Sequence, residues 1–348
     1  MAVVKEFFGK SPEGQKIEMF TLSNDRGMKV CVTNLGAALA KILVPDAQGS
    51  FADVVLGMEN VEQYYWDASI AGIVVGPHAN RIANASFELD GVTYQLDPNE
   101  NGNNLHSHFQ KGYQKQIWDA SIEESSVTFS LEDYDGNMGF PGNKRVQVTY
   151  SLNDDNELRL HYHGTSDKRT ILNLTNHVYF NLDGHKSGTI EDHELWLGAS
   201  CYTPVAAKSI PTGEIASVKG TPMDFTEGKR IGLEINADTE QLQITGGYDH
   251  NWVIDGWDGT LRHFATLKAP KSGRIMKAYT TLPGVQLYTG NFISQMKAKE
   301  GADYDKRHGL CLETQYFPDT VHHDNFPSCV FGEGRDYDSV TVFRFESE

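Results

Sequence analysis

The first candidates for catalytic or binding residues are polar side chains in the stretch 171–184. By the two-residue period of a strand, Asn173, Thr175, His177 and Tyr179 share one face, and apolar side chains fall mostly on the other. Burying such a polar face is unfavourable unless its groups form hydrogen bonds. His177 is the only side chain there that titrates near neutral pH. The stretch therefore predicts a strand whose polar face either meets water or forms the floor of a pocket.

A single glutamate interrupts the apolar run 310–317. Glutamate is almost never fully buried unless it is paired, so Glu313 is either a salt-bridge partner or a carboxyl group with a functional pKa. Its apolar neighbours on both sides favour the second interpretation. Desolvation at this position should raise the pKa of Glu313 and make it a stronger base.

Three further segments place polar side chains in loops or at the start of a strand. Arg81 follows Asn80 in a loop rich in Gly, Pro and Ala, and its donor fork suits paired hydroxyls or carboxylates. His106 follows an apolar leucine that could hold it inward. Asp249 follows two glycines, where it either accepts from sugar hydroxyls or caps a turn. A surface arginine and solvated loops remain the alternatives for the first two segments.

Together these residues form an acid–base set without a nucleophile. The sequence has no G-x-S-x-G elbow, P-loop, G-x-G-x-x-G motif or closely spaced cysteines. His161 and His163 share one strand face, but no third metal ligand is near, so a solvated face is favoured. We expect no metal and no cofactor.

The elements that must position these side chains are mainly strands. Asp90–Gly91 and the segment 153–156 are typical of hairpin turns between alternating segments. Helical patterns are limited to 60–66, with Asn60 as the cap, and a short turn near 224–231. Without repeats or linkers, the pattern predicts one all-β domain over residues 1–348, an antiparallel sandwich or barrel with few short helices.

Composition excludes several partner classes. A net charge of -17 disfavours nucleic acid and anionic membranes. No apolar segment is long enough to span a membrane, and no signal-peptide core is visible at the N-terminus. Four widely spaced cysteines fit a reducing compartment. We expect a cytoplasmic monomer or homodimer.

The chain resembles the aldose 1-epimerases, or galactose mutarotases, along nearly its whole length. The resemblance rests on six segments in the family's order: 80–83, 104–106, 173–182, 247–250, 283–291 and 312–315. It implies a large β-sandwich, the galactose mutarotase-like supersandwich, with a sugar cleft on one sheet. It also implies an isomerase that interconverts the α and β anomers of free hexoses such as galactose and glucose.

The resemblance also implies roles for individual residues. Glu313 corresponds to the general base and His177 to the general acid, and Tyr179 is expected to wall the cleft. The implied ligands of substrate hydroxyls are Asn80, Arg81, His106, Asp249 and Gln286. Mutarotation independently requires one base for the anomeric hydroxyl and one acid for the ring oxygen. Activity is expected to fall on the acid side as Glu313 takes a proton.

Four residues, at three places in the sequence, depart from the usual family pattern. His106 is followed by Ser107 and His108, where the family usually has two glycines. Val178 stands where a serine is usual, and Leu282 where a glutamine is usual. The acid and base are retained, so substrate preference is the property that these positions could change.

Three alternative functions remain. A hexose-phosphate epimerase would need several cations around the phosphate, and Arg81 alone is thin support. A non-catalytic carbohydrate-binding sandwich would not need a buried glutamate opposite a histidine. A glycoside hydrolase would need two carboxylates, for which Asp249 and Glu313 are candidates.

Overall fold

The computed structural model describes residues 2–348 and confirms the predicted all-β class. The strands within these residues are, in chain order, β1 (Ala2–Lys10), β2 (Lys16–Ser23), β3 (Lys29–Thr33), β4 (Leu39–Pro45), β5 (Phe51–Asp53), β6 (Val74–Val75), β7 (Arg81–Ile82), β8 (Ser86–Leu89), β9 (Val92–Gln95), β10 (Asn104–Leu105), β11 (Asp119–Glu123), β12 (Ser126–Asp133), β13 (Lys144–Leu152), β14 (Glu157–Ser166), β15 (Thr170–Ile171), β16 (Thr175–Asn176), β17 (Glu194–Leu197), β18 (Cys201–Thr203), β19 (Ala216–Ser217), β20 (Lys229–Arg230), β21 (Asp249–Val253), β22 (Arg262–Ala269), β23 (Arg274–Thr280), β24 (Gly284–Tyr288), β25 (Met296–Lys297), β26 (Asp303–Tyr304), β27 (Cys311–Gln315), β28 (Val330–Phe331) and β29 (Tyr337–Ser347).

Helices are few and short, as predicted. The two α-helices are α1 (Val61–Trp66) and α2 (Glu240–Thr245). Asn60 caps α1 by accepting a hydrogen bond from the backbone of Gln63, which confirms the predicted cap. Short 3-10 helices lie at Ala83–Ala85, Tyr113–Lys115, Asn137–Gly139, Ala207–Ser209, Ile231–Leu233, Lys299–Gly301 and Thr320–His322. None of the helices in residues 2–348 has the length and apolar character needed to span a membrane.

Three antiparallel sheets form the body of the sandwich. The large sheet has nine strands in the order β11-β12-β13-β14-β29-β23-β22-β17-β20. The N-terminal sheet has five strands, β1 to β5 in sequence order, and the third sheet, here called the site sheet, has the order β19-β18-β21-β24-β27. The hairpins predicted at Asp90–Gly91 and at 153–156 are both present, as β8–β9 and β13–β14.

The large sheet packs against both smaller sheets. Phe20 of the N-terminal sheet contacts Phe129 of the large sheet edge to face, with ring centroids 5.5 Å apart. From the site sheet, the hydroxyl of Thr314 lies 2.6 Å from the hydroxyl of Thr341 in β29 of the large sheet. Side chains from all three sheets join one buried apolar cluster. The site sheet therefore keeps one face for the core and has the other free for polar groups.

The outer face of the site sheet collects polar side chains because residues alternate along each strand. Thr314 points to the large sheet, so Glu313 and Gln315 point away from it. The antiparallel register places Gln286 opposite Glu313, and Asn251 opposite Gln286. Three neighbouring strands thus present one row of polar groups on a rigid support.

The stretch 171–184 is not the continuous strand that its alternation predicts. Only β15 and β16 are strands there, and Asn173 and Phe180 form isolated bridges, because the backbone changes partners along its length. The amide of Asn173 donates to Pro77, that of His177 to Ile73 and that of Phe180 to Leu310. No single neighbour continues the ladder, and both faces are buried. The alternation nevertheless separated the side chains correctly, since Phe180 packs on Phe343 of the large sheet.

The paired histidines of β14 lie on the outer surface of the large sheet, as favoured from the sequence. His161 and His163 are each more than one third exposed and both lie within 4.0 Å of Asp338. They form an exposed contact with this carboxylate on a solvated face.

A buried ion pair fixes the segment 292–304 to the N-terminal sheet. The ammonium of Lys299 lies 2.7 Å from the carboxylate of Asp53 and donates to the carbonyl of Ala40 at 2.6 Å. Both charged side chains are about 95% buried, and burial lowers the pKa of Lys299. A buried charge without its partner is strongly destabilising.

We expect Lys299→Met to lower the free energy of unfolding by about 3–5 kcal/mol, because Asp53 would stay buried without its cation. The matched control is Lys297→Met, which removes an exposed ion pair with Asp303 from the same segment and should have little effect. Urea unfolding of both variants checks this. Equal stability of the two variants would contradict it.

Candidate active site

A cavity of about 650 Å³ opens above the polar face of the site sheet. This volume is within the range typical of small-molecule sites. Seven of the eight predicted site residues line it: Asn80, Arg81, His106, His177, Tyr179, Asp249 and Glu313. Gln286 does not line the cavity; its amide lies behind Asp249 and donates to that carboxylate at 2.7 Å.

Glu313 and His177 meet at the cavity floor. Oε1 of Glu313 lies 3.6 Å from Nε2 of His177, and both side chains are at least 93% buried. The second carboxyl oxygen of Glu313 has no hydrogen-bond partner among residues 2–348. The carboxyl group is therefore not held as part of a structural ion-pair network and is available to a ligand.

Burial shifts both pKa values toward the uncharged forms. Desolvation, with the nearby charge of Asp249, raises the pKa of Glu313 well above its usual value, as the sequence predicted. Desolvation lowers the pKa of His177 to about 4. Burial thus disfavours the charged form of each group.

The thiol of Cys311 contacts the ring nitrogen of His177 that faces away from Glu313. Its Sγ lies 3.4 Å from Nδ1 of His177, and burial raises the pKa of the thiol well above its usual value. This contact helps to fix the orientation of the imidazole, whose Nε2 faces Glu313.

His106 is a second neutral imidazole with a defined tautomer. Its Nδ1 accepts a hydrogen bond from the backbone amide of Asn80 at 3.1 Å, so Nε2 carries the proton. Burial and the neighbouring His177 lower the pKa of His106 well below its usual value. The two imidazole rings lie 5.6 Å apart, edge to face. His106 can thus donate to a ligand without becoming charged.

Arg81 is fixed between two carboxylates in the cavity wall. Its Nε and Nη2 each donate to Glu100 at 2.8 Å, and Nη1 lies 3.9 Å from Asp249. Its backbone pairs with Leu105, the residue before His106, and Asn80 accepts a bond from its amide. Strands β7 and β10 thereby place Arg81 and His106 at the same side of the cavity.

Tyr179 walls the cavity, as predicted. Its hydroxyl donates to the carbonyl of Ser69 at 3.0 Å, and its ring lies 5.0 Å from that of His177. Tyr288 adds a second aromatic wall 6.1 Å from the same imidazole. These rings exclude water from the acid–base pair.

One group of residues could also hold a metal ion. The ligand atoms of His106, His177 and Glu313 lie within 4.8 Å of one another. Two imidazoles and a carboxylate are suitable ligands for a divalent ion, although the sequence predicted no metal.

Comparison with known proteins gives one consistent result. The family described as "Aldose 1-epimerase" matches residues 18–344. Galactose mutarotase of Bos taurus is 40% identical over 347 residues, which cover 99% of each chain. Aldose 1-epimerase of Escherichia coli (strain K12) is 36% identical over 341 residues, 97% of this chain and 98% of the relative.

The chain belongs to the aldose 1-epimerase family. The crystal structure of an aldose epimerase homologue from C. elegans agrees in fold, with a TM-score of 0.87, 32% identity and coverage of 94% of this chain and 98% of the other. This aldose 1-epimerase is an isomerase that interconverts the α and β anomers of an aldose.

The three departures from the family pattern lie outside the cavity lining. Val178 and Leu282 are buried in the apolar core. Ser107 has a left-handed backbone with φ 64°, a conformation that favours glycine, and its hydroxyl bonds both the amide and the carbonyl of His78 at 2.9 Å. These two hydrogen bonds stabilise the left-handed backbone conformation at Ser107, a position where the family usually has glycine.

Sequence reasoning missed three residues of this aldose 1-epimerase site. Cys311 lies two positions from Glu313, and Tyr288 lies two positions from Gln286, so each shares a strand face with a predicted site residue. That signal was available. Glu100 lies in an irregular loop, and no local pattern indicates that it meets Arg81.

We expect Cys311→Ala to lower kcat roughly three- to tenfold with KM unchanged, because one hydrogen bond that fixes His177 is lost. Cys329→Ala is the matched control, since it removes another buried thiol that does not line the cavity. Polarimetry of both variants measures the rates. A rise in KM, or equal losses in both variants, would contradict the role.

Proposed function

We propose that this aldose 1-epimerase acts on free galactose and glucose, with Glu313 as general base and His177 as general acid. The observation that carries the proposal is the buried 3.6 Å approach of the two side chains at the cavity floor. The galactose mutarotase relatives support the choice of hexose.

The chemistry needs one proton to move through the sugar. In the reactive arrangement the single proton of the pair lies on His177 and Glu313 is ionised. Glu313 takes the proton of the anomeric hydroxyl as His177 gives its Nε2 proton to the ring oxygen, and the C1–O5 bond breaks. The pair then consists of a neutral carboxylic acid and a neutral imidazole. Rotation about C1–C2 and reversal of both transfers close the ring as the other anomer.

Burial favours this proton exchange. A carboxylate and an imidazolium in the cavity are disfavoured by desolvation, as the raised pKa of Glu313 and the lowered pKa of His177 indicate. Ring opening neutralises both groups at once. The desolvated environment therefore makes Glu313 a stronger base and His177 a stronger acid than either would be in water.

The remaining side chains are proposed to hold the sugar while C1 turns. Asn80, His106 and the free Nη1 of Arg81 provide donors, and Asp249 provides an acceptor. Gln286 is proposed to position Asp249 and not to bind the sugar directly, because its amide donates to that carboxylate. Fixing the other hydroxyls lowers the entropy lost on reaching the transition state.

The cytoplasmic location and the monomeric or homodimeric state stay predictions from the sequence. The hexose-phosphate alternative finds no support in the cavity. Among residues 2–348, the cationic side chains that line the cavity are those of Arg81 and Lys297, and each lies near a carboxylate. A phosphate would need several free donors.

We expect Glu313→Gln to remain folded, to bind galactose and to lose at least ~10²-fold in kcat, because the amide cannot accept the proton. Polarimetry of freshly dissolved α-galactose gives the rate, and thermal melting gives the stability. His177→Asn should stay folded and lose ~10²–10⁴-fold.

A stable, fully active Glu313→Gln protein would refute the proposed base. A destabilised protein whose folded fraction is fully active would instead assign Glu313 a structural role. Release of a leaving group from an aryl glycoside by the unmodified protein would favour a hydrolase.

We expect kcat/KM to follow a bell-shaped pH profile, because the active pair carries one proton. Below about pH 4 the neutral His177 takes a second proton while Glu313 is protonated, so no base remains. Above the raised pKa of Glu313 the pair loses its only proton, so no acid remains.

The sequence led us to expect that protonation of Glu313 alone would cause the loss of activity at low pH. The profile proposed here instead attributes that loss to protonation of His177. Circular dichroism at each pH controls for unfolding. A folded protein whose activity already falls near pH 6 on the acid side would contradict the shared proton.

A further inference from the structure

The guanidinium of Arg81 is already occupied by a carboxylate of the same chain. Nε and Nη2 both donate to Glu100 at 2.8 Å, and the two side chains are 10% and 23% exposed. This two-point contact is the geometry with which arginine binds the carboxylates and phosphates of ligands. Glu100 thus fills the anion site that Arg81 would otherwise offer inside the cavity.

Glu100 is held in place by its own loop. Its backbone pairs with Asn103 through two hydrogen bonds, of 3.1 and 2.8 Å. The side chain of Asn103 accepts a further bond from the amide of Asn84 at 3.0 Å. The Glu100 carboxylate therefore meets Arg81 on a supported loop and not on a free chain.

The donor that remains on Arg81 is suited to a hydroxyl group. Nη1 lies 3.9 Å from Oδ2 of Asp249, too far for a direct hydrogen bond. A hydroxyl oxygen near both groups can accept from Nη1 and donate to Asp249. An oxygen of a carboxylate can only accept, so it would face the charge of Asp249 without a proton between them.

The rest of the cavity lining also has more acidic than basic side chains. Among the described residues, the carboxyl groups lining the cavity are those of Asp67, Glu100, Asp249 and Glu313. The cationic side chains there are Arg81 and Lys297, and the ammonium of Lys297 lies 2.5 Å from Asp303. Arg81 is thus the buried cation of the lining, and Glu100 already occupies it.

We propose that Glu100 is a specificity-determining residue, which neutralises and occupies Arg81 so that the cavity selects uncharged sugars over uronates and sugar phosphates. The inference rests on the proposed epimerase function and adds a residue and a substrate class to it. Glu100 acts through Arg81 and through its charge and takes no part in the proton transfers.

The test compares galactose with galacturonate, which has a carboxylate in place of the hydroxymethyl group and also undergoes mutarotation. Polarimetry gives kcat/KM for both sugars with the unmodified protein and with Glu100→Gln. We expect the ratio of galacturonate to galactose to rise at least about tenfold in the variant, the effect of removing one unit charge several ångströms from the ligand.

Glu132→Gln is the matched control, since it removes the same charge from an exposed ion pair with Arg145 outside the cavity. Its ratio should not change. Added salt should narrow the difference between Glu100→Gln and the unmodified protein. Should Glu100→Gln fold poorly, Glu100→Ser tests the same loss of charge.

An unchanged ratio in a folded Glu100 variant would overturn the inference, including the case in which both activities fall by the same factor. That result would make Glu100 a structural support for Arg81. Failure of the unmodified protein to accelerate galactose mutarotation would instead refute the proposed function, so the two failures are distinct.

Discussion

The buried contact between Glu313 and His177 is the interaction on which the rest of the site depends. The two groups lie 3.6 Å apart, and their desolvation disfavours charge on either one. In the proposed reaction, proton exchange with a bound sugar converts a charged pair into a neutral one and back. An exposed pair of the same residues would have ordinary pKa values and would exchange protons with solvent. The surrounding structure therefore has to exclude water without adding a permanent partner for Glu313.

The fold meets this requirement with side chains from distant parts of the sequence. Strand β27 supplies Glu313 and Cys311 on one face, and the aromatic rings of Tyr179 and Tyr288 cover the imidazole. The thiol serves as a weak partner for Nδ1 of His177. A carboxylate in that position would stabilise the imidazolium and weaken the acid. The thiol adds little stabilisation of the charged imidazole, which agrees with the lowered pKa of His177.

Charge compensation extends from the reacting groups to the cavity wall. The Arg81 guanidinium is satisfied by Glu100 and lies near Asp249, so the wall has hydrogen-bonding capacity without free positive charge. Gln286 and Gln315 continue this network beneath the surface, with the amide of Gln315 donating to Gln286 at 3.1 Å. Hydrogen bonds from such a wall can orient the hydroxyl groups of a ligand, because each donor and acceptor has a fixed position and direction. The departures from the family pattern lie behind this wall and leave its chemistry unchanged.

The sequence by itself predicted the class of the fold, the short helix capped by Asn60, and seven side chains that line the cavity. Local alternation placed His177 and Tyr179 on one face, a lone buried glutamate has few explanations, and the motifs shared with the family indicated the other residues. Sequence did not determine the path of residues 171–184, whose backbone changes hydrogen-bond partners between neighbouring segments, so a period-two pattern overstated the strand. It also missed Glu100, and it did not indicate that the amide of Gln286 donates to Asp249. Only the tertiary structure decides which carboxylate an arginine meets and which amide lies behind another side chain, because those contacts join residues that no local pattern connects.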